Sequence, residues 1–285
     1  MAREAQRFFA NRGAVVGTVL ICILLAIVGA RPLLSAKSPD ALNIDHGLTL
    51  RGAPLPPSAE SPLGTDDLGR DVWARIVAGA ATSLEIACLA TLLALVIGLT
   101  VGLVAGYAGG WVDHALMRLV DLVLAFPFLL LAILLASLLR EADLASSIAP
   151  VVVTLGAVSW TTIARVIRGK AMAVSRSEMI VAARALGASP ARIIARHVLP
   201  NLAGTAIVMA AIGFAQNLLS EAVLSYLGLG PATTTWGHML FEGRAYYRTA
   251  PWLVIAPGVA ILVAVIAFNL VGDGLRDAFD PKEST

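Results

Sequence analysis

The chain has 285 residues, of which 58% are hydrophobic and 14% charged, with a mean hydropathy of +0.82. That balance excludes an ordinary soluble domain, where roughly a quarter of the residues are charged, and a disordered chain, which needs low hydrophobicity and high net charge. A formal net charge of only +2 provides no basic field for nucleic acid.

Six stretches are apolar over the length, about 20 residues, that a helical span requires. In chain order they are about Ala14–Ala30, Leu84–Gly106, Ala115–Leu139, Ile148–Val166, Leu202–Leu227 and Trp252–Val271. The run Leu89 to Ile97 shows none of the polar–apolar alternation of a barrel strand. Backbone groups in lipid must be satisfied within the segment, so the runs are read as helices. The expected fold is an all-α polytopic membrane protein with six transmembrane helices. Arg3, Arg7 and Arg12 before the first run, with Val28-Gly29-Ala30 after it, also outline a signal peptide. The apolar core exceeds the roughly 7–15 residues of such signals, which favours a retained anchor.

The expected organisation is a tail and first span in 1–31, an external segment in 32–79, a five-span core in 80–273 and a tail in 274–285. Within the external segment, residues 39–64 are rich in proline and glycine and read as irregular chain. Thr65 is then read as a helix N-cap, with Asp66 and Asp67 in a first turn whose dipole favours acids. Leu68, Val72, Trp73, Ile76 and Val77 repeat at helical spacing. They predict a short amphipathic helix, either lying at the outer interface or buried against the spans.

Orientation follows from Arg165, Arg168, Lys170, Arg176, Arg184, Arg192 and Arg196, which share one connecting segment with a single acid, Glu178. Positive loops face the cytoplasm. Alternating the spans then puts both termini inside, and the loops around Glu141 and Trp236 outside. The basic segment, 167–201, is more than a loop. Met179, Ala182, Ala183 and Leu186 share a face of a helix over Glu178 to Leu186. Gly187 sits at its C-cap, Ser189 is an N-cap and Pro190 a first helical residue. A second helix runs through Ile193, Ile194, His197 and Val198 and is expected to stop near Leu199-Pro200.

Ionisable groups in or near spans are functional candidates. Glu85 and Glu221 lie toward outer ends, and Asp121 lies near an inner end, one turn after Arg118. Asp121 reads as a local ion pair or a path residue, and Glu221 as a buried hydrogen bond or a cavity lining. Trp236, Tyr246 and Tyr247, with Trp252 just after, read as an interfacial aromatic belt or as a loop that contacts an external protein or gates the path. The scattered His46, His114, His197 and His238 predict no metal site, and Cys22 and Cys88 no disulfide. No phosphate-binding loop is present: Gly169-Lys170 is followed by Ala171. With neither H-E-x-x-H nor G-x-S-x-G in the chain, no catalytic residue is expected.

The stretch Ala182-Ala183-Arg184-Ala185-Leu186-Gly187, followed by His197 to Asn201, resembles the "EAA" loop of bacterial ABC importer permeases. The segments Leu63–Asp71, Gly106–Asp113, Asp121–Pro127, Leu224–Gly230, Trp236–Leu240 and Asn269–Pro281 are similar to motifs of the dipeptide and oligopeptide permease C-subunits. The resemblance implies a type I ABC importer permease-like core in the bacterial cytoplasmic (inner) membrane. It implies a second, homologous permease subunit, two ATP-binding subunits that carry ATP and Mg, and an external substrate-binding protein. The ATPase-coupling role would fall on Val181, Ala182, Ala183, Arg184, Ala185, Leu186, Gly187, Ser189, Pro190, His197 and Pro200. Val181 departs from the family, which usually has Glu there. The path or gate candidates are Glu221, Asp121 and Trp236. The expected cargo is a di- or oligopeptide, with nickel or another small solute as the alternative. A proton-coupled carrier using Glu85, Asp121 and Glu221 is the rival of another class.

Overall fold

The computed structural model describes residues 2–34, 37–139 and 147–279. Every extended element among the described residues is a helix. We number them α1 (Ala2–Ala10), α2 (Arg12–Gly29), α3 (Val72–Ala108), α4 (Gly110–Ala125), α5 (Phe128–Leu139), α6 (Ala149–Ser175), α7 (Glu178–Ala185), α8 (Pro190–Tyr226), α9 (Trp236–Gly243) and α10 (Trp252–Phe279). Five of them, α2, α3, α6, α8 and α10, are long and apolar enough to cross a membrane.

The third expected span differs from its sequence reading. It is two helices, α4 and α5, bent by 89° at Phe126-Pro127. Proline lacks an N–H and disfavours the helical conformation in the residue before it. Phe126 accordingly sits extended, at φ −85° and ψ 137°. The loop around Glu141 lies outside the described residues.

The segment before α3 also departs from expectation. Thr65 caps no helix: its hydroxyl donates to the Gly47 carbonyl at 2.6 Å and it forms an isolated bridge with Asp71. The cap is Asp71, whose carboxylate accepts from the Ala74 N–H at 3.0 Å. Asp66 instead closes a turn, accepting from the N–H groups of Leu68 and Arg70. Val72 and Val77 are fully buried, so the amphipathic stretch is the start of the 37-residue α3 packed inside the protein. At 1.5 Å per residue α3 is roughly 55 Å long, well beyond the ~30 Å hydrocarbon layer.

Small residues let the helices approach. Gly98, Gly102 and Gly106 form one stripe of α3 against α6. A Cβ added to them would lie 2.7, 2.5 and 2.6 Å from the carbonyl oxygens of Trp160, Ala164 and Arg168. Backbone contact of this closeness replaces the hydrophobic driving force that lipid removes. Gly17 of α2 meets α10 in the same way, 2.7 Å from the Ala267 carbonyl oxygen by the same construction. One core, around Leu84, Leu218, Trp236 and Ile261, lies toward α9. Another, around Ile163, Ile167, Ile180, Ile193 and Leu202, joins α6 to the segment between α6 and α8.

Candidate functional site

The chain between α6 and the long span, from Arg176 through the first turns of α8, forms a knob. α7 ends in a Schellman turn: the Ala188 N–H donates to the Ala183 carbonyl at 3.1 Å and the Gly187 N–H to that of Arg184 at 2.9 Å. Gly187 has φ +78°, the left-handed conformation such a turn demands. Ser189 caps the next helix by accepting from the Arg192 N–H at 3.4 Å, and Pro190 occupies its first turn.

The expected stop at Leu199-Pro200 is absent, and this is a correction. The chain passes through a π-turn, Ile194–Val198, and α8 continues unbroken to Tyr226. Pro200 can donate no hydrogen bond, and the widened turn, in which the Leu199 N–H reaches the Ile194 carbonyl, absorbs the change.

One side of the knob is anchored and the other is open. Ile180, Ile193 and Val198 are buried against Ile167, Ala171 and Leu202. Val181, Ala182, Arg184, Ala185, Leu186, Gly187, Ser189, Pro190 and Pro200 are exposed, while Ala183 and His197 are half-buried. Leu186 is 88% exposed and Val181 60%, an apolar surface that no described residue covers. The Arg184 guanidinium stands 5.5 Å from the centre of the Tyr107 ring, tying the knob to the end of α3. The structure thus gathers the expected coupling residues at one place.

The path candidates are not gathered with one another. Asp121 of α4 is half exposed and pairs with Arg165 of α6 at 2.6 Å rather than with Arg118. Glu221 is fully buried, accepting from the Ser225 hydroxyl at 2.6 Å, with Ser83 and Thr235 beside it. Trp236 is 1% exposed; its indole N–H donates to the Ile76 carbonyl and its backbone N–H to Ser83 Oγ. An interfacial belt position for Trp236 is therefore overturned: the ring packs in the interior. Tyr247 is exposed. Glu85 is exposed too, on the side of α3 facing away from the core.

Two charge constellations escaped the sequence reading. Arg168 of α6 takes both carboxylate oxygens of Asp113 in α4, Nη2 reaching Oδ2 at 2.6 Å and Nε reaching Oδ1. Beside α9, Arg70 and Arg75 alternate with Asp66 and Glu242. Arg70 Nε and Arg75 Nη1 reach Asp66 Oδ2 at 2.6 and 2.5 Å, and Arg70 Nη2 and Arg75 Nη1 reach Glu242 at 2.8 and 2.7 Å. Burial alone would raise the Glu242 pKa. His238 and the two arginines outweigh it and hold the carboxyl far below its usual range. Neither cluster has a local sequence signature, since Glu242 is 172 residues from Arg70.

Residues 98–285 match the family model described as binding-protein-dependent transport system inner membrane component. The dipeptide transport system permease protein DppC of Alkalihalophilus pseudofirmus is 40% identical over 283 residues, covering 98% of this chain and 90% of that protein. A Brucella suis protein with a provisional peptide-permease name is 37% identical over 286 residues, 99% of this chain and 91% of that one. Among solved structures, a chain from inward-facing conformations of the MetNI methionine ABC transporter (CY5 native crystal form) superposes with a TM-score of 0.58. It is 22% identical and covers 72% of this chain and 96% of that one, a likeness of fold.

Proposed function

The chain belongs to the binding-protein-dependent transport system inner membrane component family, and from that premise we propose that it carries di- or oligopeptides inward, driven by ATPase partners docked on the knob around Gly187. As a multi-pass inner-membrane permease subunit of an ABC importer it supplies the route. The peptide cargo is inferred from relatives named for dipeptide and peptide transport.

The observation that carries the coupling proposal is the knob: a capped helix–glycine–helix, anchored by Ile180 and Ile193 and exposing Leu186 and Val181. Its second helix is continuous with α8, so force applied at Ser189 reaches the span through helix rather than through slack loop. Two ATP-binding subunits would close on ATP, tilt the spans and expose the route to an external binding protein, as alternating access requires. A second permease subunit would complete the route. In this reading both chain ends and the knob lie in the cytoplasm, and ATP and Mg reside on the partners.

The test is purification of the tagged chain in mild detergent from its own host, followed by reconstitution with what accompanies it. Recovery of a second permease and ATP-binding subunits, with ATP-dependent dipeptide uptake, supports the reading. A folded chain that transports alone, unaffected when ATP hydrolysis is disabled, would overturn it in favour of a secondary carrier.

A further inference from the structure

A cavity of about 350 Å³ opens between α4, the α4–α5 break, α6 and α8. Phe126 and Phe128, flanking Pro127, contribute apolar lining, and Ser159 and Thr162 of α6 with Gln216 and Ser220 of α8 contribute a polar wall. A cluster of hydroxyl and amide groups around a hollow at membrane depth is costly unless water or a polar ligand occupies it.

The chemistry of this wall is specific. Ser159 donates its hydroxyl proton to the Leu155 carbonyl at 2.6 Å, and Ser220 donates to that of Gln216 at 2.8 Å. Their oxygen lone pairs remain as acceptors. Thr162 and Gln216 are exposed, and their side chains make no hydrogen bond with another described residue. Among the described residues, no ionisable one lines the cavity. The acids expected in the route lie elsewhere: Asp121 is held by Arg165 and Glu221 is enclosed with Ser225.

We infer that this cavity is the stretch of the route through which the cargo passes at membrane depth, and that Gln216 and Thr162 hydrogen-bond the backbone amides of a passing peptide without regard to its side-chain charge. The inference rests on the peptide reading for its cargo but not for its location. An amide and a hydroxyl match peptide N–H and C=O groups in either direction. A wall without fixed charge neither traps nor repels acidic and basic residues.

The experiment uses the reconstituted transporter, with Cys22 and Cys88, both exposed, first replaced by Ser. Gln216→Cys and Thr162→Cys are then introduced singly, and labelling by a small water-soluble maleimide is measured with and without MgATP. Labelling in at least one nucleotide state, slowed by an excess of transported dipeptide, is expected. Separately, Gln216→Glu should raise the ratio of Lys-containing to Glu-containing dipeptide uptake by about tenfold over wild type. Absence of labelling in every state, in protein that assembles and hydrolyses ATP normally, would overturn the inference, since lipid or a neighbouring subunit would then fill the cavity. An unchanged uptake ratio in Gln216→Glu would overturn it as well. If the wild-type transporter moves a different solute, the peptide reading falls, and labelling with protection by that solute still decides the cavity.

Discussion

Arg168 grips both carboxylate oxygens of Asp113, joining α6 to α4 only 13 residues before the sharp break at Phe126. Nearer the break, Arg165 repeats the link to Asp121. Two arginines one turn apart on α6 thus hold α4, the first half of the broken span.

The two pairs differ in burial, so they should differ in consequence. Asp113→Asn removes a largely buried acceptor of a charged hydrogen bond and should destabilise the detergent-solubilised protein by about 2 kcal/mol. Asp121→Asn breaks a pair half exposed on both sides and should cost less than about 1 kcal/mol. Thermal unfolding of the two variants checks this, and equal losses would contradict it.

The glycine stripe makes a second prediction. Gly102→Ala places a methyl 2.5 Å from the backbone oxygen of Ala164, which has no rotamer to yield, and should destabilise by about 1–3 kcal/mol. Gly258→Ala, with nothing within 4 Å, should leave stability unchanged. Comparing the unfolding temperatures of the two variants separates loss of contact from loss of glycine as such.

At the knob, an added Cβ on Gly187 meets nothing within 4 Å, so any penalty comes from φ +78° alone. Gly187→Ala should therefore cost about 1 kcal/mol and retain most ATP-driven uptake. Gly187→Val or Gly187→Pro should abolish uptake at normal membrane levels. Full uptake by Gly187→Pro would remove the coupling role.

The Asp66–Glu242 cluster carries a pH signature. Glu242 has a folded pKa below its ordinary 4.5. Its contribution is therefore complete above 4.5, declines as pH falls below that, and is lost once pH passes the lower folded value. Glu242→Gln should lose about 3 kcal/mol at pH 7, because it leaves the buried Arg75 underpaired. The gap to wild type should persist at pH 4.5 and narrow only in stronger acid. Unfolding curves across that range check the sign; a gap that closes between pH 7 and 5 would contradict it.

Spans and knob were legible because their signals are local. Hydropathy marks a helix in lipid whatever it touches, and Gly187, Ser189 and Pro190 act on their own neighbours. Pro127 was equally visible, yet a long apolar window conceals a bend at one residue. Thr65 misled for a related reason. Thr-Asp-Asp reads as a helix start, but Gly69, at φ +72°, turns the chain and leaves the cap to Asp71. The glycine stripe, the Asp113–Arg168 grip and the Asp66–Glu242 cluster depend on partners far along the chain. Nothing in Gly102 alone announces Ala164.

The π-turn has a consequence for chain length. Ile193, Val198 and Leu202 all point into the core at spacings of five and four, so the wide turn houses one more residue than an α-turn would. Removing Ala195, which is exposed, would let the turn tighten while residues before and after it keep their facing. A deletion between Leu202 and Gln216 would instead rotate everything beyond it by about 100°. Residues 194–198 are thus the one stretch of this long helix with a spare residue, where an evolving lineage has room to shorten the chain without re-aiming it.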